Sequence, residues 1–527
     1  MSKSFKNISV VAGATMVSRV LGLGRDMLVS AVFGLTALAD AFYTAFTLPN
    51  LFRRLLGEGA LTAAFVPTLN EELKHRQRAG AFVLLNQVAT WLFLTTSLIV
   101  FAAMALFWQA PDFAAMAARR GLDAHTIDRW VSAAHLAVIL FPYLVCVCLA
   151  AAFSAALQTL ERFLEPALSP IWLNVSMLLL LGTAVHRGAD GTTAMLWLCG
   201  GALLGGALQL CVPAAALARE GWRPRLDFTV SAGVRQILRL MGPTVFGSAI
   251  YLINMAVSRF IGLSLTESAV TILNLATRLM ELPIGVFAVA VTTVIFPLIS
   301  KHAAAGDWAN LATVYRKGVR LILVINVPAA AGLLVLSEPI IRVLFQRGAF
   351  GPGDTALMRP VLIVFALGLP IFSFVNIVLR AFYAQKDTTT PVRAALLSFL
   401  TNFGLSLVLM GPWGTVGLAV ASNVAILVQA IYLQSRLARI HEGLAFRHVL
   451  RDLAKVIIAT LLMTALVAAG WWAWVRVFPP TKLAAAAALA VLIGAAVATY
   501  AGLLWAFRIE GRDDLAAIVA KLRARFI

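Results

Sequence analysis

The stretch that decides the fold is residues 17–67, which read VSRVLGLGRDMLVSAVFGLTALADAFYTAFTLPNLFRRLLGEGALTAAFVP. Two apolar helices can be drawn through it, yet it contains seven charged side chains: Arg19, Arg25, Asp26, Asp40, Arg53, Arg54 and Glu58. A charge at the centre of a membrane helix costs roughly 2.5–3.5 kcal/mol on insertion scales. Either these segments lie outside the membrane, or their charged groups face a water-filled cavity.

The composition of the whole chain favours the membrane. Of its 527 residues, 61% are hydrophobic and 13% are charged, whereas soluble domains are about 25% charged. The net charge of +19 would suggest nucleic acid in a soluble protein. Because cytoplasmic links of membrane proteins are rich in Lys and Arg, the same charge is expected here without a nucleic-acid partner. The sequence therefore predicts an all-α polytopic membrane protein.

A search for apolar stretches of about 20 residues predicts some 14 transmembrane helices. Links rich in Pro, Gly and polar residues separate them, the longest at 111–129. The second and eighth stretches are interrupted by Pro49 and by Pro283 with Gly285. Broken helices of this kind line transport sites rather than face lipid. The stretches fall near 7–32, 38–68, 82–108, 131–156, 164–186, 192–218, 236–261, 268–299, 312–336, 357–384, 391–411, 415–437, 453–475 and 482–507.

The distribution of basic residues predicts the orientation. Lys and Arg concentrate at both termini and in the links after even-numbered stretches, as in Lys74, Arg76 and Arg78. The opposite side has few, among them Arg119 and Arg347. By the positive-inside rule, both termini are expected in the cytoplasm.

The chain also repeats itself weakly. Val17–Gly22 (VSRVLG) recurs as Val257–Gly262 (VSRFIG), and Ala156–Pro166 has the length and ending of Ala381–Pro391. The offset falls from 240 to 225 residues, as loop deletions in a duplicated unit would make it. A six-helix unit repeated in one orientation predicts two pseudo-symmetric lobes. The expected domains are an N-terminal lobe at 1–225, a C-terminal lobe at 226–442, and two added helices with the C-terminus at 443–527.

Polar residues share helix faces in three of these stretches. In the first, Ser18 lies seven residues from Arg25, and Arg19 lies seven residues from Asp26, so each pair shares a face. The other two faces are Asp40, Thr44, Thr47 and Glu58 in the second stretch, and Asn274, Arg278 and Glu281 in the eighth.

Two interpretations of these charges are open. Arg can pair with Asp or Glu to hold helices together, as in Arg19 with Asp26 or Arg54 with Glu58, or extend towards lipid headgroups. Yet the arginines outnumber the acidic residues, so a cationic surplus remains after pairing. Arg suits bidentate contact with phosphate or carboxylate better than Lys does. The surplus therefore predicts a cationic cavity for an anionic ligand with several oxygens.

Four motifs resemble one family. SRVLGLGRD at 18–26, ADAFYTAFTLPNLFRRLLGEGALTAAFVP at 39–67, TRLMELPIGVFAVAV at 277–291 and QKDTTTPVRAAL at 385–396 look like the MurJ (MviN) family of lipid II flippases. That family belongs to the multidrug/oligosaccharidyl-lipid/polysaccharide exporter superfamily. The resemblance covers nearly the whole chain and is strongest in the first, second and eighth stretches.

The resemblance implies a transporter and not an enzyme, with no cofactor and no metal. It would move lipid II, the undecaprenyl-pyrophosphoryl disaccharide pentapeptide, from the inner to the outer leaflet of the bacterial inner membrane for peptidoglycan synthesis. Membrane lipids and other cell-wall synthesis proteins are the further expected partners. The last two helices would form a groove for the lipid tail.

Carried over position by position, the family's substrate-binding arginines fall on Arg19, Arg25, Arg53 and Arg278. Its gating and ion-pair positions fall on Ser18, Asp26, Asp40, Glu58 and Glu281.

The chain departs from its relatives in two places. Relatives often have Asp directly before the eighth-stretch Arg, where this chain has Thr277. In some, acidic groups form a sodium site, but the matching positions here are Asn254, Asn402 and Ser406. We expect at most a weak cation site there, and the energy source stays open.

The same charged residues can be compared with what other functions would need. A drug or organic-cation antiporter of the superfamily, the main alternative, would need an acidic, aromatic-lined cavity. A membrane glycosyltransferase or phosphatase would need a catalytic carboxylate or His on an extended loop, and no His lies near the Arg-rich segments. A scaffold would not need surplus arginines.

Overall fold

The computed structural model describes residues 3–53, 60–119, 121, 123–266, 268–285, 289–478 and 481–508, and every regular element in these ranges is helical. This confirms the all-α prediction. Two short 3-10 turns, Glu442–Leu444 and Phe446–Val449, accompany the α-helices. These are α1 (Lys3–Phe33), α2 (Ala37–Phe52), α3 (Ala60–Trp108), α4 (Ala110–Arg119), α5 (Ala124–Leu140), α6 (Tyr143–Thr159), α7 (Leu164–His186), α8 (Gly191–Arg219), α9 (Ala232–Leu265), α10 (Ala269–Pro283), α11 (Val289–Ala304), α12 (Trp308–Val335), α13 (Ser337–Leu344), α14 (Pro352–Ala384), α15 (Thr389–Ile440), α16 (Leu450–Val477) and α17 (Lys482–Ala506).

Each predicted membrane stretch coincides with helix in the described residues. By length and composition, eight of the helices described can cross a membrane, or nine if the bent pair α5 and α6 forms one span. The protein is therefore a multi-pass membrane protein, and the number 14 stays a prediction.

Two of the predicted boundaries appear as bends, and a third bend lies inside the predicted stretch 131–156. α3 turns at Gln77, whose φ of 54° and ψ of −159° are not helical. α15 turns in the same way at Gly414, with φ 54° and ψ −132°. α5 and α6 meet at 46° around Pro142, where proline removes a backbone donor.

The interrupted stretches also end where the sequence indicates. α2 ends three residues after Pro49, and α10 ends at Pro283. In contrast, the link expected at 111–129 contains a helix, α4. Its ends suit the helix dipole, because Asp112 lies in the first turn and Arg119 in the last.

One compact unit comprises Met1–Thr271 together with Arg347–Phe350. Its core packs α2, α3, α5, α6 and α8 around large buried side chains such as Phe42, Phe65 and Leu144. α7 and α8 approach closely because α8 has glycine at the contact. A Cβ on Gly205 would lie 2.7 Å from the Cα of Leu173, which is the small-residue packing typical of membrane helices.

The second unit comprises Ile272–Gln346 and Gly351–Ile527. α11, α12, α14 and α15 form its main core. α16 is held to α12 by an ion pair in which Arg320 Nε lies 2.7 Å from Asp452 Oδ2. α17 is held to α12 by Tyr500, whose hydroxyl donates to the Val324 carbonyl at 2.8 Å. The expected domain boundaries at 225 and 442 stay predictions.

Two corresponding positions of the predicted internal repeat have the same backbone conformation. Glu161 and Lys386, 225 residues apart in the chain, each end a helix with a left-handed residue at φ 61°. In each case the next amide bonds back five residues, from Arg162 to the Leu157 carbonyl (2.8 Å) and from Asp387 to the Phe382 carbonyl (3.1 Å). This is the six-to-one bond of a Schellman cap. The same cap at the offset read from the sequence supports a duplicated unit.

Candidate functional site

The first candidate cluster is built on Arg25 of α1. Arg25 is buried, and its Nε and Nη2 donate to Asp26 Oδ1 at 3.0 and 2.8 Å. Its Nη1 donates to Asn174 Oδ1 of α7 at 3.2 Å. Asp26 is fully buried. A buried charge must be paired and hydrogen-bonded to be tolerated, and here both conditions are met for Arg25.

Asn174 is the residue of this cluster that the sequence prediction missed. Its Nδ2 donates to the Ser18 carbonyl at 3.2 Å and to the Pro170 carbonyl at 3.1 Å. One amide therefore fixes the Arg25 guanidinium and ties α7 to the helix turn that begins at Ser18. Asn174 is the only side-chain amide in the sequence of the apolar stretch 164–186, and that is the signal that could have identified it.

The ion pair of this cluster differs from the one that helical spacing suggested. The seven-residue spacing pointed to Arg19 as the partner of Asp26, but the structure pairs Asp26 with its neighbour Arg25. The long Arg side chain folds back along the helix, and the contact from Asn174 holds it there. Arg19 and Ser18 are half-buried on the same helix.

A second cluster surrounds Asp40, in the first turn of α2. The fully buried carboxylate accepts the backbone N–H of Val270 at 3.1 Å and that of Thr271 at 2.7 Å. It also accepts the Thr271 hydroxyl at 2.5 Å. Arg259 donates to the Val270 carbonyl at 3.2 Å. Asp40 thus caps the first turn of α10, where free amides and the helix dipole favour a carboxylate.

Of the remaining predicted residues of the second stretch, the structure describes Arg53. Arg53 follows the helix, half-buried, and its Nε donates to Asn50 Oδ1 at 3.2 Å. Glu58 and its expected partner Arg54 lie outside the described residues.

Arg278 and Glu281 lie on the polar face of α10. Arg278 Nη1 is 3.5 Å from Glu281 Oε2, and the two side chains are 47% and 49% exposed. Exposed pairs of this kind are worth about 0–1 kcal/mol, so the contact with Glu281 holds Arg278 only weakly. Thr277, where relatives often have Asp, donates its hydroxyl to the Leu273 carbonyl at 2.6 Å.

The three residues of the predicted cation site lie on two different helices. Asn402 and Ser406 are both buried and lie one turn apart on α15, so they share a face. Asn254 lies on α9, in the other compact unit. A cation site at these three residues stays a prediction.

The family model for "Lipid II flippase MurJ" matches residues 29–498. The chain belongs to the lipid II flippase MurJ family. It is 35% identical to a "Probable lipid II flippase MurJ" of Rhizobium meliloti (strain 1021), over 94% of this chain and 92% of that protein. It is 28% identical to a "Lipid II flippase MurJ" of Burkholderia cenocepacia, over 95% and 97% of the two chains. MurJ membership places the protein among transporters rather than enzymes.

Solved structures agree with this assignment. The fold superposes on "Lipid II flippase MurJ, inward closed conformation" with a TM-score of 0.76 and 25% identity, covering 96% of this chain and 99% of that one. A multidrug resistance MATE family transporter of the MOP superfamily matches with a TM-score of 0.63 at 14% identity, over 81% and 97%. The second match shows a shared fold alone, so the MurJ assignment is better supported than the antiporter alternative.

Proposed function

We propose that this chain moves lipid II from the inner to the outer leaflet of the bacterial inner membrane by alternating access, for peptidoglycan synthesis. The observation that carries the proposal is the buried Arg25 assembly in a chain of the MurJ family. A pyrophosphate group crossing the membrane loses its hydration, and fixed cationic donors offset that loss. The protein supplies these donors and catalyses no covalent step.

The four arginines contribute in different ways. Arg25 is orientated before the substrate arrives, since Asp26 and Asn174 hold its guanidinium. Pre-orientation reduces the entropy lost on binding. Arg278 is half exposed, and Arg19 and Arg53 are half-buried, so each can turn towards an anionic headgroup. We assign the pyrophosphate to these four side chains.

Asp40 is proposed as a gating residue. Its carboxylate accepts three hydrogen bonds from two residues at the start of α10, so a movement of α2 away from that turn breaks all of them together. A contact of this kind has two discrete states, made or broken. The bonds made here stabilise one state of the transport cycle.

The cellular test uses a strain in which this gene is the only copy of its kind. The protein is depleted, and lipid II in intact cells is exposed to an added enzyme that cleaves it from outside. Loss of external cleavage, with total lipid II kept or raised, is the expected result. If lipid II remains accessible outside, another protein moves it and the proposal fails.

Two sets of variants locate the headgroup in the same assay. Arg53→Ala and Arg278→Ala, produced at normal levels, are expected to lose external lipid II as depletion does. Arg359→Ala is the matched control, because Arg359 is equally exposed and pairs with Glu338 at 3.0 Å. It should behave as the unmodified protein.

A further inference from the structure

An apolar cavity of about 310 Å³ lies in the first compact unit, among α2, the end of α3, α4, α5 and α9. None of the sixteen described residues that line it is charged. Aromatic rings form much of its wall, contributed by Phe107, Phe113, Trp130 and Phe260. A cavity of 150 Å³ holds benzene, so this one accommodates a hydrophobic body of about ten carbon atoms.

One polar side chain of the lining is buried without a partner. Thr44 of α2 is 2% exposed, and its Oγ1 has no hydrogen-bond partner in the described part of the chain. Threonine in a helix usually donates to the carbonyl four residues back, as Thr47 does to Tyr43 at 2.6 Å. Leaving a buried hydroxyl unpaired costs about 1–3 kcal/mol. A ligand oxygen at Thr44 recovers that cost.

The wall of the cavity reaches the surface and joins two helices. Trp130 of α5 stacks on Phe260 of α9, with ring centroids 5.1 Å apart and planes 1° from parallel. Phe113 of α4 is 47% exposed. The cavity therefore has a partly exposed aromatic rim.

We propose that this cavity binds an uncharged amphiphile that has a hydrocarbon body of about ten carbons and one hydrogen-bonding oxygen placed at Thr44. The uncharged lining excludes an ionic headgroup, because an unpaired charge there would lose its hydration. This binding site does not depend on whether the chain moves lipid II. Thr44 follows Asp40 by one helical turn, so an occupant stabilises the part of α2 that caps α10.

The test uses the full-length protein in lipid nanodiscs and 1-decanol with a photoreactive diazirine at its chain end. Peptide mapping after illumination is expected to show crosslinks concentrated on α2, α4 and α5 at the cavity. Unlabelled 1-decanol should compete, and decyltrimethylammonium, with its fixed charge, should not.

Three variants separate the cavity from the general membrane surface. Ala134→Phe fills it from α5, and Ala114→Phe fills it from the half-buried rim on α4. Each is expected to reduce these crosslinks at least about tenfold, as loss of a binding site requires. Thr44→Val keeps the shape but removes the hydroxyl, so competition by 1-decanol should weaken about fivefold to tenfold.

The second filling variant covers the case in which the first does not fold. Crosslinks spread evenly over the exposed apolar helices, or unchanged when the cavity is filled, would overturn the proposal. Equal competition by 1-decanol in Thr44→Val and the unmodified protein would overturn the role of the hydroxyl.

Discussion

Asp40 accepts both hydrogen-bond donors of Thr271, the backbone N–H at 2.7 Å and the hydroxyl at 2.5 Å, on the same oxygen, Oδ1. Its other oxygen accepts the Val270 amide at 3.1 Å. Asp40 and Thr271 are 231 positions apart in the chain. A buried carboxylate bonded in this way fixes where α10 begins, and the proposed gating role of Asp40 rests on this contact.

Asp40→Asn is expected to release the first turn of α10. The amide group of Asn puts a donor against the Val270 N–H, so at least one buried donor loses its acceptor at a cost of about 1–3 kcal/mol. Hydrogen exchange at the Val270 and Thr271 amides should speed up roughly tenfold to a hundredfold. Thr271→Val is the matched control, since it removes only the hydroxyl and keeps both amide bonds. If the Val270 and Thr271 amides exchange equally slowly in Asp40→Asn and in the unmodified protein, the capping role is contradicted.

Asn174→Ala is expected to lower transport without unfolding the protein. Arg25 loses its hydrogen bond to Asn174, and the helix turn at Ser18 loses its link to α7. A hydrogen bond to a charged group is worth about 1.5–3 kcal/mol, so binding of lipid II should weaken about tenfold or more.

Gly22→Ala is the control for Asn174, because the added Cβ would meet Asn174 at an ordinary 3.7 Å. Lipid II binding by both variants can be measured in nanodiscs. If Asn174→Ala binds as tightly as Gly22→Ala, Arg25 does not depend on Asn174 for its orientation.

Gly348→Ala is expected to detach residues 347–350 from the end of α1. Gly348 has φ +57°, and a Cβ there would lie 2.2 Å from the Ala31 carbonyl oxygen. That same oxygen accepts the Ala349 amide at 2.7 Å. The left-handed backbone alone costs a residue with Cβ about 1–2 kcal/mol, and the clash adds to it.

The measurement for Gly348→Ala is hydrogen exchange at the Ala349 amide, which should lose its protection. Gly353→Ala serves as the control, since it lies in the first turns of α14 with nothing within 4 Å of the added Cβ. It should leave exchange at Ala349 unchanged. Unchanged exchange in Gly348→Ala as well would show that the segment does not need this contact.

Asp452→Asn is expected to loosen α16 from α12. Arg320 and Asp452 are mostly buried and 2.7 Å apart, so removing the charge of Asp452 weakens this pair, at a cost of about 1–3 kcal/mol. Glu338→Gln breaks the exposed pair with Arg359 and should cost no more than about 1 kcal/mol. Thermal unfolding of the purified variants checks the difference, and equal midpoints would count against a stabilising role for the buried pair.

The sequence predicted the helices because long apolar stretches and their Pro and Gly interruptions are local signals. It missed two short helices, α4 and α13, because a search for apolar stretches of about 20 residues does not detect helices of 10 and 8 residues. Glu161 and Lys386 have the same left-handed backbone at the 225-residue spacing of the predicted repeat, and the duplication itself stays a prediction.

The contacts of the candidate site, unlike the helices, could not be predicted from the sequence. Helical spacing placed Arg25 and Asp26 on different faces, yet they pair because Asn174, 149 residues away, holds the guanidinium. Asp40 was identified as a candidate, but its partner Thr271 depends on how α2 packs on the start of α10. Such pairings are set by tertiary packing, which no local pattern encodes.

The most direct measurement is transport by the purified protein. It is reconstituted into liposomes with fluorescent lipid II, and the fraction protected from an external quencher is followed with time. The account predicts that the unmodified protein moves the label between leaflets, that Arg25→Ala loses most of this activity, and that Arg359→Ala keeps it. Movement at an equal rate in liposomes with Arg25→Ala would contradict the assignment of the headgroup to Arg25. No movement by the unmodified protein under any imposed potential or ion gradient would contradict the flippase function itself.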